Sequence, residues 1–526
     1  MSMTWLADAD FDTAWAHRAW SDFDAFPDKR RALVILPVHG FADHGLGLPL
    51  DAEEAAGGAI LRRAVTKAKS VLPLVVLPPL RFGLAPYPHT HFGLDPDDAH
   101  ALIREISGGV KDAGFTRLVF FCTSPWNKEL VDAAAIDLRA EPGLQTFVIN
   151  LAGLGPDFHP AGAGRADAQA IAAHVLGVTP DTGGARPADV RDLAFRPGNF
   201  RQPAPLPPPV LAPDPVALID STARHLARLL AEIDAHPPLG ADPRAAASHR
   251  APVMLPRLPE SYPVSTAGSA FAAPYRARYL PALTQARLDA FADKARALVI
   301  IPTGAIEQHG RHLPVGVDAI LGQAWLNHAL PKLSPAAAPR VFVAPPVTCG
   351  KSNEHAGFPG TVSLSARTLR RLLLALAAHL RGLGFRHIAI LNTHGGNSPV
   401  IVYTLREIQT VLGLRAGMLG LPRPADLSAQ EAANGFHAGE WETALMLACA
   451  GKLVRMDRAV REHPAQVDDP GELRPGGAPA VFAWLTRDIS ASGVMGDATA
   501  ATLKKGARWL DESSTALAHR IEELLP

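Results

Sequence analysis

The chain has 526 residues, more than one hydrophobic core usually supports, so two domains are expected. Its 51 basic and 51 acidic residues cancel, and no basic stripe with interleaved aromatics is present, so we expect neither nucleic acid nor an anionic membrane as a partner. The three cysteines are far apart and lack CxxC spacing. This argues against a disulfide framework and a thiolate zinc cluster, and it fits a reducing cytoplasm.

Proline-dense stretches divide the chain. The densest are 201–215 and 236–263, and their prolines can extend neither helices nor central strands. We interpret 236–263 as a linker between a domain of residues 1–235 and a domain of residues 264–526. No apolar run reaches the roughly 18 residues of a membrane span, and the first residues lack an export signal, so neither insertion nor export is expected.

Short β-branched runs alternate with long amphipathic segments. The runs "ALVIIP" (297–302) and "HIAILN" (387–392) are typical of buried parallel strands. The segment "SARTLRRLLLALAAHLRGLG" (365–384) has leucines at helical spacing between a serine and a glycine, which predicts a helix. This alternation favours an α/β fold in which helices cover both faces of a mainly parallel sheet.

The chain also repeats itself. The segment "RALVILPVHGFADHG" (31–45) aligns without gaps on "RALVIIPTGAIEQHG" (296–310). In the same order, "VVLPPLRFG" (75–83) matches "VFVAPPVTCG" (341–350), and "GFTRLVFFCTSPWN" (114–127) matches "GFRHIAILNTHGGN" (384–397). Three ordered matches at nearly constant separation predict two copies of one fold.

The copies differ at polar positions that suit chemistry. Ala42 is aligned with Glu307, and Ser124 is aligned with His394. The N-terminal copy has therefore lost a carboxylate and an imidazole that the C-terminal copy keeps.

A remnant of the polar set persists in the first copy. His44 is aligned with His309, and Asp318 falls opposite Glu53 or, with a two-residue gap, Asp51. One or two remaining ligands do not make a metal site. We therefore predict a degenerate N-terminal copy that serves packing or covers the site of its neighbour.

Four polar clusters in the C-terminal copy lie at or near the ends of predicted strands. They are "EQHGRHLPVGVD" (307–318), "SNEHAGFPGT" (352–361), "NTHGGN" (392–397) and "HAGEWET" (437–443). Ligands bind at the carboxyl ends of the strands in open α/β sheets, so these clusters can converge. Carboxylates and imidazoles without thiolates suit Zn, Mn or Fe(II), and a shared aspartate can bridge two such ions.

Together with "SGVMGDATAAT" (492–502), these motifs resemble the creatininase family of metal-dependent amidohydrolases, also called creatinine amidohydrolases. The resemblance spans roughly residues 278–526, and the N-terminal half shares only its framework. It implies an α/β fold class with two three-layer α/β/α sandwich domains and mainly parallel sheets. It also implies two divalent metal ions, assembly from identical subunits, and hydrolysis of a C–N bond in a small-molecule amide, cyclic amide or formamide.

Carried over by position, the resemblance assigns a role to each polar residue. Glu307 and His309 become ligands of different metal ions, Asp318 the bridging carboxylate, and His394 a further ligand. His437 matches the catalytic histidine of the family, which could protonate the departing nitrogen after attack by a metal-activated water. The alternatives are structural: Asp318 could cap a helix, and the histidines could be core residues bonded to backbone.

One position departs from the family pattern. Creatininase has a metal-binding glutamate two residues beyond the histidine equivalent to His394, whereas Gly396 stands here. We expect Glu442 to supply the missing carboxylate, unless it is an exposed helix residue, and creatinine itself is not the expected substrate. Three further residues are candidate substrate contacts: Glu354, His355 and Asn397. The first two could instead order the "FPGT" turn.

Other functions remain open at this stage. A creatininase-like peptidase that trims a modified peptide, or a metal-binding scaffold without catalysis, is also compatible with these motifs. We further predict that the two copies pack as a pseudo-symmetric pair within one chain, with metal bound only near Glu307, Asp318 and His394.

Overall fold

The computed structural model describes residues 12–85, 87, 90–140, 144–160, 162–181, 214–237, 239, 273–464, 473–474 and 480–526. Most of the linker predicted at 236–263 lies outside these residues. Within the described part, no helix combines the length and the apolar character that crossing a membrane requires.

The described strands of the N-terminal copy are β1 (Leu33–His39), β2 (Leu74–Val76), β3 (Leu80–Arg81), β4 (Gly83–Leu84), β5 (Gly93–Leu94), β6 (Arg117–Cys122) and β7 (Gln145–Asn150). Five of them form one sheet with the order β2-β1-β6-β7, in which β3 also pairs with β1. The described helices of this copy are α1 (Trp20–Asp24), α2 (Ala52–Ala68), α3 (Pro96–Asp112), α4 (Lys128–Ala140), α5 (Arg165–Leu176) and α6 (Pro215–Asp234).

The described strands of the C-terminal copy are β8 (Leu298–Thr303), β9 (Val341–Val343), β10 (His387–Asn392), β11 (Arg415–Leu419), β12 (Arg461–Glu462), β13 (Leu473–Arg474), β14 (Ala480–Val481) and β15 (Gly496–Asp497). The first four form one sheet with the order β11-β10-β8-β9. The described helices are α7 (Ala273–Arg276), α8 (Gln285–Ala290), α9 (Val317–Ala329), α10 (Ala366–Gly382), α11 (Ser398–Leu412), α12 (Ala429–Asn434), α13 (Glu440–Ala450), α14 (Thr486–Ile489) and α15 (Leu503–Glu523).

The two main sheets share one topology. Strand β1 lies between β2 and β6 as β8 lies between β9 and β10, and all these pairs are parallel. The outer strands β7 and β11 pair with β6 and β10 in the same way. This equivalence confirms the tandem duplication predicted from the sequence repeat.

Each sheet is covered by helices on both faces. Side chains alternate along a strand, so Leu33 and Ile35 pack in the core formed with α2, α5 and α6, while Val34 and Leu36 face the core formed with α3 and α4. In the second copy, Val299 packs under α10 and α11. These layers confirm the predicted α/β class with two α/β/α sandwiches.

Helix α10 shows how local sequence sets these elements. The Ser365 side chain accepts a hydrogen bond from the backbone N–H of Thr368, which satisfies one of the free donors at the helix start. Leucines such as Leu369, Leu373 and Leu380 form the buried face of the helix. The predicted helix at 365–384 is therefore present as Ala366–Gly382.

The two copies contact each other through reciprocal backbone hydrogen bonds. The N–H of Leu50 donates to the carbonyl of Leu283, and the N–H of Val315 donates to the carbonyl of Arg18. At a constant shift of 265 positions, Leu50 corresponds to Val315 and Arg18 corresponds to Leu283. The second bond is therefore the first bond with the two copies exchanged. Two related surfaces thus each contribute a donor and an acceptor, as in an isologous dimer interface.

Helices α3 and α10 meet in the same pairwise manner. Phe92 packs on His379 with ring centroids 4.9 Å apart, and the equivalent contact brings Val362 against Gly109. The Glu105 carboxylate accepts hydrogen bonds from Ser365 at the N-terminal end of α10. The interface between copies is therefore continuous with the hydrophobic core and also tied by polar contacts.

Candidate metal centre

The polar clusters of the C-terminal copy converge at the carboxyl edge of its sheet. Glu307 and His309 follow β8, His394 follows β10, and Asp318 lies in the first turn of α9. His437 lies just before α13, on which Glu442 lies. Parallel strands end at the same edge, so residues distant in sequence become neighbours.

Glu307 lies at the middle of the cluster and is fully buried. Its Oε1 is 3.0 Å from Nδ1 of His394 and 3.7 Å from Nδ1 of His437. Its Oε2 is 3.4 Å from Nε2 of His355. A single carboxylate thus faces three imidazoles.

Asp318 connects two parts of the cluster. Its Oδ1 is 3.6 Å from Nε2 of His309, and its Oδ2 is 3.7 Å from Nδ1 of His394. Oε2 of Glu442 lies 3.9 Å from the same His309 nitrogen. Asp318 is the carboxylate that lies between these two histidines, which is the place expected of a bridging ligand.

Three histidines have their ring orientation fixed by backbone carbonyls. His309 Nδ1 donates to Glu307 O at 3.0 Å, His394 Nε2 to Lys351 O at 2.9 Å, and His437 Nε2 to Gln308 O at 2.7 Å. A carbonyl can only accept, so these nitrogens carry the protons in the neutral rings. The other nitrogen of each ring then presents a lone pair to the carboxylates, as in metal-ligating histidines.

The donor atoms fit a divalent cation. Oε2 of Glu307, Nε2 of His309 and Oδ2 of Asp318 are buried and form no hydrogen bond within the described structure, and the nearest partner of Glu307 Oε1 is Nδ1 of His394 at 3.0 Å. Buried polar atoms without partners are costly and usually indicate a missing ligand or ion. Three sets each offer ligand atoms within 4.8 Å of one another: Glu307, His355 and His437; His309, His437 and Glu442; Glu307, Asp318 and His394.

Charges in the cluster are strongly coupled. Burial opposes ionisation of Glu307, but the imidazoles of His355 and His394 outweigh it and hold the pKa of this carboxyl well below its usual range. Burial and the neighbouring Glu307 raise the pKa of Asp318, and burial raises the pKa of Glu442 to about 7. Burial opposes protonation of His309 and His394, but the carboxylates of Asp318 and Glu307 outweigh it and raise the pKa of His309 to about 9 and the pKa of His394 well above its usual value. Protonated imidazoles therefore balance the buried carboxylates, and a bound divalent cation would take over this role.

Gln308 organises the loops around the donors. Its backbone N–H donates to Oγ1 of Thr361 at 3.1 Å, and its Nε2 donates to the carbonyl of Gly493 at 3.0 Å. The same Nε2 is 2.9 Å from Nδ1 of His355. Gln308 therefore joins the loop after β8 to the "FPGT" turn and to the loop before β15.

The segment that carries His437 is held by a buried carboxylate. Glu431 accepts hydrogen bonds from the N–H groups of Glu440 and Asp497, both at 2.8 Å. A Cβ on Gly439 would meet the Glu431 carboxylate at 2.1 Å, so only glycine fits there. Next to His437, Ala438 has a φ of 54°, in the left-handed region. This strained backbone is compatible with a functional position.

A cavity of about 750 Å³ opens above the donor cluster. One part of its lining is polar, with Lys351, Glu354 and Asp488, and another is apolar, with Phe436 and Trp484. The predicted ligands Glu307, Asp318, His394 and Glu442, together with His437, also line it. His309 lies behind them, fully buried.

The three predicted substrate contacts have different positions. Glu354 and His355 line the cavity, whereas Asn397 lies outside its lining and is fully buried. Asn397 Oδ1 accepts from the N–H of Lys351, and its Nδ2 donates to the carbonyl of Gly304. The structure therefore does not bring Asn397 to the cavity, because backbone groups beneath it bind both ends of the amide.

The space above Gly396 is filled by another carboxylate. A Cβ on Gly396 would lie 1.9 Å from Oε1 of Glu354, which is itself 3.2 Å from Nε2 of His394. Glu442 reaches the cluster from the opposite side, beside His309. Both carboxylates are close to the centre, and Glu442 belongs to a donor set with His309 and His437.

Sequence reasoning missed several residues at this site. Gln308 lies within the motif 307–318, but its position there does not distinguish it as a functional residue. Its role depends on loops that only folding brings together. Phe436 and Trp484 lie outside the motifs; their rings are 5.9 Å apart at one wall of the cavity. A run of apolar residues at 480–485 was the only signal for the second of these.

The corresponding place in the N-terminal copy has different chemistry. His44 Nε2 forms a buried hydrogen bond with Oε1 of Glu53 at 2.9 Å, and the His44 ring packs on Phe158 at 4.5 Å. In the C-terminal copy, the His309 ring packs on His437 at 4.2 Å instead. The described residues of the first copy contain no set of three metal-donor atoms.

Comparison with known proteins supports the family resemblance. The sequence profile of the creatininase family, described as creatinine amidohydrolase, matches residues 16–175 and 281–521, so both copies are recognised. The mycofactocin precursor peptide peptidase of Mycolicibacterium smegmatis is 32% identical over 230 residues, which cover 44% of this chain and 86% of that protein. Creatinine amidohydrolase of Pseudomonas putida is 29% identical over 250 residues, covering 44% of this chain and 90% of that protein.

Among solved structures, the one named "Creatininase Mn" is 27% identical and covers 47% of this chain and 99% of its own, at a TM-score of 0.39. The profile match extends over well over half of the 526 residues, in two segments that correspond to the two copies. The chain therefore belongs to the creatininase family of amidohydrolases.

Proposed function

We propose that the C-terminal copy is a dinuclear metal-dependent amidohydrolase that cleaves a C–N bond of a small-molecule amide. The observation that carries this proposal is the group of buried donor atoms at the floor of the cavity, on Glu307 and Asp318, and directly beneath it, on His309, that form no hydrogen bond within the described structure. Donors of this kind, held in a concave site, are typical of a hydrolytic metal centre.

Two of the donor sets support two ions: Glu307, Asp318 and His394 would hold one, and His309, His437 and Glu442 the other. Asp318 would reach both, because its Oδ1 is 3.6 Å from Nε2 of His309 and its Oδ2 is 3.7 Å from Nδ1 of His394. When bound, such ions lower the pKa of water toward neutrality and polarise a carbonyl oxygen. The oxygen and nitrogen ligands suit Zn, Mn or Fe(II), without selecting among them.

His437 is suited to move a proton. Its Nε2 is fixed by the carbonyl of Gln308, and its Nδ1 is directed toward Glu307 at the cavity floor. Burial lowers the pKa of His437 well below its usual value, so the ring is neutral, and a proton that it takes up at Nδ1 would be released readily. Release of that proton to the amide nitrogen would allow the C–N bond to break.

The cavity wall supports an amide with an apolar substituent. Phe436 and Trp484 face one another across the wall, and Met495 and Pro399 extend the apolar surface. A volume of about 750 Å³ lies within the range of sites for drug-sized ligands. Lys351 and Asp488 supply charge on the rest of the lining and would orient a polar end.

A peptidase is the second candidate. The observation that favours it is the 32% identity to a mycofactocin precursor peptide peptidase, and the volume of the cavity can also hold the end of a peptide. Both candidates would use the same donors and the same proton carrier. They differ only in what occupies the wall formed by Phe436 and Trp484.

Metal analysis combined with a substrate panel tests the proposal. Purified protein is expected to hold close to two ions per chain, and Asp318→Ala is expected to lose both metal and activity. Formamides, lactams, aryl amides and short peptides, supplied with Mn, Zn or Fe(II), separate an amidohydrolase from a peptidase. Activity without stoichiometric metal would refute the proposal, and metal binding without any turnover would favour a scaffold.

A further inference from the structure

A short segment of the N-terminal copy, residues 14–23, crosses onto the C-terminal copy; we call it the bracing segment. The carbonyl of Arg18 accepts from the N–H of Val315 at 2.8 Å, and the carbonyl of Ala16 accepts from the N–H of Gly316 at 3.0 Å. The carbonyl of Val315 in turn accepts from the N–H of Glu307 at 2.9 Å. The bracing segment is thus one hydrogen-bonded residue away from the central carboxylate.

Two aromatic residues of the bracing segment fix the "FPGT" turn. Nε1 of Trp15 donates to the carbonyl of Gly360 at 2.9 Å, and Trp15 is fully buried. A Cβ on Gly360 would lie 2.3 Å from the ring of Phe23, and its φ of 94° also favours glycine. The turn is therefore closely fitted to the N-terminal copy.

Trp20 joins two further loops. Its Nε1 donates to the carbonyl of Ser492 at 3.3 Å, and its ring lies edge-on to Phe358 at 5.3 Å. The guanidinium of Arg311 lies over the same ring at 4.9 Å, and Trp20 is only 6% exposed. One indole thus contacts the loop after β8, the "FPGT" turn and the loop before β15.

These are the same three loops that Gln308 connects from the other side. Gln308 donates to Thr361, one residue beyond Gly360, and to Gly493, one residue beyond Ser492. Gln308 also stands between the donors Glu307 and His309 in sequence. Displacement of the turn or of the Ser492 loop therefore acts on the backbone that carries these donors.

The reciprocal contact in the other direction lacks the indoles. Under the shift of 265 positions that relates the copies, Trp15 corresponds to Leu280 and Trp20 to Gln285. Gln285 lies against the N-terminal copy, with Oε1 2.6 Å from Nε2 of His91. Tryptophans thus brace the copy that keeps the metal donors, and smaller residues face the copy that has lost them.

We propose that Trp15 and Trp20 of the N-terminal copy are positioning residues of the metal centre in the C-terminal copy. The degenerate copy is on this view a structural component of its neighbour's active site and not only a remnant of duplication. The inference rests on the metal-dependent function proposed above. Residues around metal ligands that act through other groups typically change metal affinity by about 10–100-fold.

The test compares Trp20→Ala, Trp20→Phe and Gln285→Ala in the full chain. Zn²⁺ affinity is measured by competition with a chromogenic chelator, and hydrogen exchange is followed at 356–362 and 490–495. We expect Trp20→Ala to weaken Zn²⁺ binding at least about tenfold and to speed exchange in both loops. Trp20→Phe, which keeps a ring but loses the N–H donor, should lie between wild type and alanine. Gln285→Ala, the matched change in the reciprocal contact, should leave both readouts unchanged.

Loss of stability alone is controlled with Leu230→Ala, a change in the core of the N-terminal copy on α6. This variant should melt earlier without weaker Zn²⁺ binding, and Trp20→Phe serves if the alanine variant does not fold. Equal Zn²⁺ affinity in wild type and both Trp20 variants would overturn the inference while leaving the proposed function intact. A wild-type protein that binds no Zn²⁺, Mn²⁺ or Fe²⁺ would refute the proposed function, and the inference with it.

Discussion

Removal of metal is expected to destabilise the protein, and Asp318→Asn is expected to abolish that dependence. Oδ2 of Asp318 is buried without a hydrogen-bond partner in the described structure, and the carboxylate lies in one donor set with Glu307. Burial and the charge of Glu307 raise the pKa of Asp318, so its ionised form is disfavoured in the folded state. A bound cation satisfies these donors and removes this cost.

The size of the effect follows from mass action. A metal present at 100 times its Kd stabilises the folded state by about 2.7 kcal/mol. One kcal/mol shifts the melting temperature of a domain of 150–250 residues by about 2–4 °C, so metal should raise the transition of the C-terminal copy by about 5–11 °C. Asp318→Asn removes a buried carboxylate whose Oδ2 has no hydrogen-bond partner, which is worth about 1–3 kcal/mol, and should melt higher than the wild type in excess chelator.

Scanning calorimetry with excess chelator and with added ZnCl₂ or MnCl₂ measures both effects. Asp511→Asn is the matched control, because the Asp511 side chain is 70% exposed and pairs only at the surface with Lys332. It should change unfolding by less than about 0.5 kcal/mol and keep the metal response. If Asp318→Asn retains the full shift with metal, or melts lower than the metal-free wild type, the assignment of Asp318 as a strained ligand is wrong.

Three other changes test the surroundings of the centre. Trp484→Ala removes one face of the aromatic wall and should raise KM for aryl amides up to about tenfold in steady-state kinetics, with kcat little changed; a fall in kcat alone would contradict a binding role. Glu431→Gln replaces the charged acceptor of two backbone N–H groups near His437 by a neutral one. It should lower the free energy of unfolding in urea by about 1.5–3 kcal/mol, and a decrease of less than about 0.5 kcal/mol would refute this role of Glu431. Gly396→Ala must displace the Glu354 carboxylate and should therefore change the metal affinity. A double-mutant cycle with Glu354→Gly should show coupling between the two positions, and additive effects on metal affinity would refute this contact.

The framework of the protein was largely predictable from sequence. The gapless alignment of 31–45 on 296–310 preserved the strand register, because both copies bury the same strand between the same neighbours. The convergence of 307–318 with 392–397 followed from a general property of parallel sheets. The family resemblance added the roles of single residues, and the profile match extends that resemblance to both copies.

The parts that were missed depend on tertiary contacts. Asn397 lies in a cluster of polar residues, which predicts a substrate contact, but its side-chain amide is hydrogen-bonded to the backbone of Lys351 and Gly304. The sequence also does not reveal that the Glu354 carboxylate occupies the space that a side chain at position 396 would fill, because the two positions meet only in the folded chain. Local motifs specify chemistry well, whereas they do not specify which of several nearby polar groups faces the cavity.

The reciprocal contacts explain why one copy could lose its donors and still be kept. The bond from Leu50 to Leu283 and the bond from Val315 to Arg18 belong to a single interface, so neither half can be lost without exposing the core beneath the other. Replacement of a donor by Ala42 leaves this backbone pairing intact, since the N–H of Ala42 still donates to the carbonyl of Leu50 as its counterpart does in the other copy. Selection for metal-donor residues then acts only on the C-terminal copy, whereas selection for stable packing acts on both copies.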